Sequence, residues 1–557
     1  MSLPSLPRTV FLAMSVSLLA ATFTSCALRP PIREGVRAEK YHQKNPDFFR
    51  ANRLTEGNKQ TLEENNLRQL YLVNPGATID EMARITRENP TSKNRLALIE
   101  MLLDRSNYAL TWKRALAQRL AANRLARDEI FSRRDQAPVF LNIYNYTSGE
   151  VFDAVRKHDL WHEKLTLPSI GGIEQQLAVK LHGKKIIDPN RATDLWLADD
   201  FDFSGMKKIN RIVVPGIGAP IVAHLSKEDA EKEGFKYVAP VGFAKPLTAV
   251  VLKGSTPNSS QLAVYDPEEI PSVNVRGHRY QLSADYTAPV AILSRYQPES
   301  AVGLKGFLRP ARYLDRMGIF HIDSYTPGKI PLVLVHGLMS SPGVWMETVN
   351  QLRADPEINR RYQFVFFYYP NGLPIGYNAA GLREYLQRYV DHYDPHRSKP
   401  EFRNMVLLGH SMGSILSNAQ VRDSGDTLER RVFKKPLSEV EGLSDEERGK
   451  IRRITTYKSN PDVKRVIMIA GPHRGSPFAS NPIGRIGQRL VSIPFDLLVP
   501  EQKIDADLTP EARKVLRSNP NSVGSLAPDS PILDAILEQP ISKNVRMHSI
   551  IGRRNPN

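Results

Sequence analysis

The chain has 557 residues, 41% of them hydrophobic and 24% charged, which excludes a disordered polar chain and leaves room for several domains of roughly 100–200 residues. Lysine and arginine number 76 against 59 acidic residues, a formal charge of +17 that suits a polyanionic partner, although scattered cations that keep a large protein soluble give the same balance. No aromatic-interleaved basic stretch or zinc-ligand spacing occurs, so nucleic acid is not expected, and the one cysteine cannot form an internal disulfide.

Arg8 precedes an apolar run over residues 10–21, shorter than the about 20 residues a membrane span needs. A basic start, a short apolar stretch and small residues afterwards predict a secretory signal over residues 1–25. The segment Phe23-Thr24-Ser25-Cys26 resembles a bacterial lipobox, with Phe23 where leucine is usual. That resemblance implies cleavage before Cys26 and lipidation of its sulfur, making the membrane a partner, since each buried acyl methylene adds about 0.8 kcal/mol. Ala27 follows, not aspartate, which in similar lipoproteins implies the outer membrane, on its periplasmic side or at the cell surface. An ordinary signal peptide with an incidental cysteine is the alternative.

Residues 26–60 are polar and aperiodic and read as a tether. Over residues 61–200 apolar side chains recur three and four apart, as in Leu98, Ile99, Met101 and Leu102 and then Leu110, Trp112, Leu116 and Leu120, which predicts a helical region. Over residues 201–325 short β-branched runs alternate with Gly, Pro, Asn and Ser, which predicts strands and turns in an accessory segment.

Residues 326–557 change texture again. Apolar runs at residues 330–335, 364–369, 405–408, 463–470 and 545–551 alternate with helical stretches such as residues 377–393. Strands that are apolar on both faces predict a doubly covered, mostly parallel sheet of the α/β class. The third run leads directly into Gly409-His410-Ser411-Met412-Gly413, the G-x-S-x-G pattern of a nucleophile elbow. Gly409 and Gly413 remove side chains that a sharp strand-to-helix turn leaves no room for, and Ser411 is lifted to the start of a helix, where free amides favour developing negative charge.

The run at residues 330–335 ends in His336-Gly337-Leu338. This turn, the elbow and Ala470-Gly471-Pro472-His473-Arg474-Gly475-Ser476 together resemble bacterial α/β-hydrolases of the lipase and esterase type. Ser414 stands where many relatives have a second glycine. The resemblance implies Ser411 as nucleophile and the amides of Leu338 and Met412 as the oxyanion hole, each such donor contributing about 3–4 kcal/mol to the transition state. His336, which belongs to the turn before the serine, reads as a packed histidine. Ser476 lacks the paired glycines and reads as structural.

In this fold the acid and then the histidine follow the nucleophile. Only His473 and His548 come after Ser411; His473 precedes any late acid and His548 lies inside an apolar run. The expectation is therefore that the chain lacks its last elements and that the acid and histidine lie beyond Asn557; a dyad using His473 is the alternative. The stretches at residues 423–461 and 481–540 predict a cap, with Ile493, Phe495, Leu497, Leu498 and Val499 lining an acyl pocket or merely packing the cap. An apolar ester is the expected substrate of a membrane-tethered enzyme. Neither metal nor organic cofactor is implied, and no oligomeric state is assigned. The rival expectation is a lipoprotein that keeps the hydrolase fold as a binding or scaffold module.

Overall fold

The computed structural model describes residues 54–132, 138–183, 191–201, 203, 210–296, 305–307, 309–476, 501–517, 521–528 and 530–552. Cys26, the expected signal and most of the expected tether, the five candidate acyl-pocket residues between 493 and 499, and residues 553–557 lie outside these. The chain divides into two compact units, one holding residues 54–236 and 240–295, the other holding residues 237–239 and those from 296 onward.

Among the described residues the first unit begins with six helices, Glu56–Glu64, Arg68–Val73, Pro75–Glu88, Ser92–Ser106, Trp112–Ser132 and Pro138–Lys157. Their starts are set locally: Thr55, Asn74 and Thr91 each accept a hydrogen bond from a first-turn amide, and Pro75 occupies a first helical position where its missing N–H costs nothing. Leu98, Ile99, Met101 and Leu102 are buried with Leu116 and Leu120 in one core. Leu110 departs from the helical expectation: it lies in the turn between two helices and is fully exposed.

Strands begin well before residue 201. They are β1 (Leu165–Ile170), β2 (Ile173–His182), β3 (Asp194–Leu197), β4 (Val213–Val214), β5 (Ala219–Leu225), β6 (Phe243–Lys253), β7 (Ser259–Tyr265), β8 (Ser272–Val275), β9 (His278–Gln281) and β10 (Ala284–Asp285). The sheet order is β1-β2-β7-β6-β5-β3, antiparallel except between β2 and β7. The expected border at residue 200 is thus displaced: β1 to β3 belong to the same sheet as β5 to β7, and helices and sheet share one core. The physical reason is visible at the start of β1, where Leu165 and Leu167 are buried on either side of exposed Thr166, the strand period of two, before a register shift ahead of Ile170.

The second unit is built on a six-stranded sheet of order β11-β13-β12-β14-β15-β16, comprising β11 (Gly318–Phe320), β12 (Ile330–Val335), β13 (Tyr362–Tyr368), β14 (Met405–His410), β15 (Val463–Ile469) and β16 (Arg546–Ile550). All neighbours are parallel except β11 with β13. Consecutive residues of β12, β13 and β14 are buried, so both faces of the sheet are covered there. From β12 the chain moves to β13 on one side and then returns to β14 on the other, which creates a crevice at the carboxyl ends of β12 and β14. Val335 is level with Gly409 and with Phe367, so the loops after these three strands emerge together. β16 is largely exposed, with Ile550 and Ile551 open to solvent.

Parts of the two expected cap stretches meet in a small core of their own. Phe433, Leu437, Val440 and Leu443 pack with Ile504, Leu508 and Ala512. Backbone bonds from Lys434 N–H to the Asp507 carbonyl and from Thr509 N–H to the Val432 carbonyl join the segments.

Candidate functional site

Ser411 follows the last residue of β14 and caps the helix Met412–Ala419. Its φ of 53° and ψ of −122° lie outside the regions open to ordinary residues, so the turn stores strain. Three bonds oppose that strain. Ser411 N–H donates to the Ile469 carbonyl at 2.9 Å, Ser414 N–H donates to the Ser411 carbonyl at 2.9 Å, and Ser414 Oγ donates to the Gly409 carbonyl at 2.8 Å. Ser411 is half-buried rather than enclosed, and among the described residues its hydroxyl has no hydrogen-bond partner.

The two elbow glycines are required by contact. A Cβ on Gly409 would lie 2.4 Å from the Gly413 carbonyl oxygen, and one on Gly413 would lie 2.2 Å from the Val335 oxygen. Both obstacles are backbone atoms that have nowhere to go. Gly337 has the same function toward the serine: a Cβ there would sit 3.1 Å from Ser411 Cβ. The turn His336-Gly337-Leu338 therefore rests directly on the elbow.

Leu338 is half-buried, and its amide has no acceptor among the described residues. Met412 opens its helix, so its amide has no intrahelical acceptor. Two backbone donors thus flank the serine, from the ends of β12 and β14.

His336 is fully buried. It stacks on Tyr369 with centroids 4.2 Å apart, its Nδ1 lies 3.0 Å from the Gly337 carbonyl, and the Tyr369 hydroxyl donates to the His336 carbonyl at 2.6 Å. Burial lowers its pKa to about 4, so the ring is neutral at pH 7. His410 stands edge-on to Trp345, with its basicity also lowered by burial.

Three groups that sequence reasoning missed complete the surroundings. Asn371, fully buried in the loop after β13, accepts from Met339 N–H at 2.9 Å and donates to the Ser340 carbonyl at 3.0 Å. Phe307 and Val523 form an apolar wall against Leu338 and Met339. Residues 521–528 bridge two of the loops, through Ser522 N–H to the Gly372 carbonyl and Ser476 N–H to the Leu526 carbonyl. The turn Pro370-Asn371-Gly372 was legible as a strand's end, but nothing in its composition indicated which loop it would hold.

The two late histidines are not joined to the serine by a hydrogen bond. His473 lies in the loop after β15, its ring nitrogens buried and without partners among the described residues, and burial, aided by Arg422, lowers its basicity. His548 lies within β16, its Nε2 2.8 Å from Arg465 Nη1. Among the described residues no group of three or more His, Cys, Asp or Glu is placed to hold a metal, and no helix is long and apolar enough to cross a membrane.

No family model matches the chain, and no curated protein matches it. Among solved structures, the mature form of the Bacillus licheniformis lipase BlEst2 is 18% identical, with a TM-score of 0.23, covering 40% of this chain and 66% of that one. Its propeptide form is 17% identical, with a TM-score of 0.23, covering 42% of this chain and 38% of that one. An esterase B from Lactobacillus rhamnosis, inhibited by a tributyrin phosphonate, is 11% identical, with a TM-score of 0.22, covering 40% of this chain and 56% of that one. The chain thus spans less than two thirds of each of these lipases and esterases, and similarity at this level leaves the assignment to the chain's own geometry.

Proposed function

We propose that the chain is an α/β-hydrolase-type serine esterase that cleaves carboxylic esters through an acyl-enzyme on Ser411. The observation that carries this reading is the strained, half-exposed Ser411 at a strand-to-helix turn with Gly337 against it. In the proposed reaction Ser411 Oγ attacks the ester carbonyl, and the Leu338 and Met412 amides hold the oxyanion. The alkoxide leaves with a proton, and water then attacks the acyl-enzyme to release the acid and free the serine. A general base takes the Ser411 proton and passes it to the departing alkoxide. Phe307 and Val523 beside Leu338 favour an apolar acyl group.

The proposal extends to location. Lipidation at Cys26 would hold the enzyme at the outer membrane, where apolar esters are at hand, and the joined segments around Phe433 and Leu508 would serve as its cap.

A second reading has one observation in its favour: no described histidine bonds to Ser411. On that reading the chain is a lipoprotein that uses the fold for binding or as a scaffold. The deciding experiment treats the full-length protein with a fluorophosphonate and with p-nitrophenyl esters of graded chain length. Covalent labelling that is lost in Ser411→Ala supports the esterase. Equal absence of labelling in both proteins supports the scaffold.

A further inference from the structure

We propose that Asn371 is a positioning residue for ester hydrolysis, holding the Leu338 amide in place by clamping the two residues that follow it. The inference rests on the esterase reading above and adds a residue outside all three sequence motifs.

The argument begins with Met339. Its φ is 54°, a left-handed value that a bulky side chain adopts only when surroundings impose it. Left to itself, the segment after Gly337 would relax toward an ordinary backbone, and the peptide bearing the Leu338 amide would rotate with it. Beside the packing of Phe307 and Val523, one carboxamide opposes this with hydrogen bonds. Asn371 Oδ1 accepts from Met339 N–H and Asn371 Nδ2 donates to the Ser340 carbonyl, at 2.9 Å and 3.0 Å. One side chain thus fixes both a donor and an acceptor of the same turn, in an environment from which water is excluded. Such bonds are costly to leave unmade.

The clamp is itself anchored. It follows β13, whose Phe367 is in register with Val335 of β12, and the Gly372 carbonyl accepts from Ser522 N–H. The carboxamide reaches across from a rigid strand end to a strained loop. An oxyanion donor must be in place before charge develops, because a mobile amide gives back in reorganisation what it gains in attraction. Asn371 touches no reacting atom; it acts through Leu338.

The test uses full-length wild type, Asn371→Ala and Asn371→Asp. Active serines are titrated with a fluorophosphonate, and turnover of p-nitrophenyl butyrate is expressed per titrated serine, a ratio that a smaller folded fraction does not change. For Asn371→Ala we expect kcat per serine to fall about 10- to 100-fold with KM little changed, short of the about 100- to 1,000-fold cost of deleting an oxyanion donor outright. Asn371→Asp keeps the acceptor for Met339 but not the donor to Ser340, so its kcat should lie between the two. Should Asn371→Ala fail to fold, Asn371→Asp carries the test. Wild-type kcat per serine in the variants, or a loss confined to KM, overturns the positioning function while leaving the esterase reading intact. A wild type that neither labels nor turns over ends both.

Discussion

Gly413 lies in the first turn of the elbow helix and Val335 ends β12, yet a single added carbon on Gly413 would stand 2.2 Å from the Val335 carbonyl oxygen and 2.5 Å from that of His336. The elbow helix and the end of β12 are in backbone contact. Gly413→Ala must therefore push the nucleophile turn away from the loop that carries Leu338. Overpacking of this kind costs about 1–3 kcal/mol or more. Thermal unfolding should show a lower Tm for this variant, and fluorophosphonate labelling of Ser411 should fall with it. A Gly413→Ala protein with unchanged Tm and labelling would mean that the contact is relieved at little cost.

The strained φ of Ser411 should be measurable as stability. Ser411→Ala keeps a Cβ in the same unfavourable conformation, whereas Ser411→Gly does not. Urea denaturation should place the glycine variant about 1–2 kcal/mol above the alanine variant, the scale of strain at such positions. The usual penalty for introducing glycine would have the opposite sign, so the direction alone decides.

Two buried histidines give the second unit an acid sensitivity. His321 is fully enclosed, with Tyr325, Tyr389 and Tyr393 around it, neither ring nitrogen has a partner among the described residues, and burial lowers its pKa to about 3. His336 is lowered to about 4. In the unfolded chain both titrate near the ordinary histidine value of 6.5. Between that value and their folded values the unfolded state binds more protons, so stability is full above 6.5 and is lost as pH falls toward 4 and 3. Replacing His321 by Phe removes one contributor. Denaturation of His321→Phe between pH 7 and pH 4 should show a flatter decline than wild type, with no loss at pH 7.

Glu100 in the first unit has the reverse response. Glu100 is buried beneath Thr55, accepting from its N–H and hydroxyl and from Asn58 Nδ2, and burial raises its pKa to about 7 in spite of those bonds. Its folded value lies above its unfolded one, so its contribution is present below about pH 4.5 and is lost as pH rises through 7. Glu100→Gln should flatten that part of the profile. Hydrogen exchange in the helix Glu56–Glu64 is the direct readout, and exchange that speeds up between pH 5 and pH 8 in the variant as steeply as in wild type would refute the assignment.

The second unit was readable because its information is local. The runs at residues 330–335 and 405–408 are apolar without interruption, as only strands covered on both faces are, and the glycines at 409 and 413 mark a turn that tolerates no side chain. β11 was not readable: three residues, Gly318–Phe320, carry no periodicity, and their placement beside β13 depends on tertiary pairing. Asn371 escaped for the same reason, since a Pro-Asn-Gly turn looks alike whether it faces water or clamps a loop. In the first unit, the short alternation Leu165-Thr166-Leu167 that opens β1 was outweighed by the dense helical pattern upstream of it.

Val238 leaves a lasting mark on how this chain can be divided. Residues 237–239 belong with the second unit, where Ala239 N–H donates to the His321 carbonyl and His321 N–H to that of Tyr237, although the sequence on either side of them belongs to the first. A polypeptide started at residue 296 would leave that backbone ladder unmet beside β11. During synthesis these three residues emerge some eighty positions ahead of their partner and must wait for it. The boundary between the units is therefore a matter of timing as well as of place, and a single cut at residue 296 should leave the His321 backbone without the two bonds that Tyr237 and Ala239 supply.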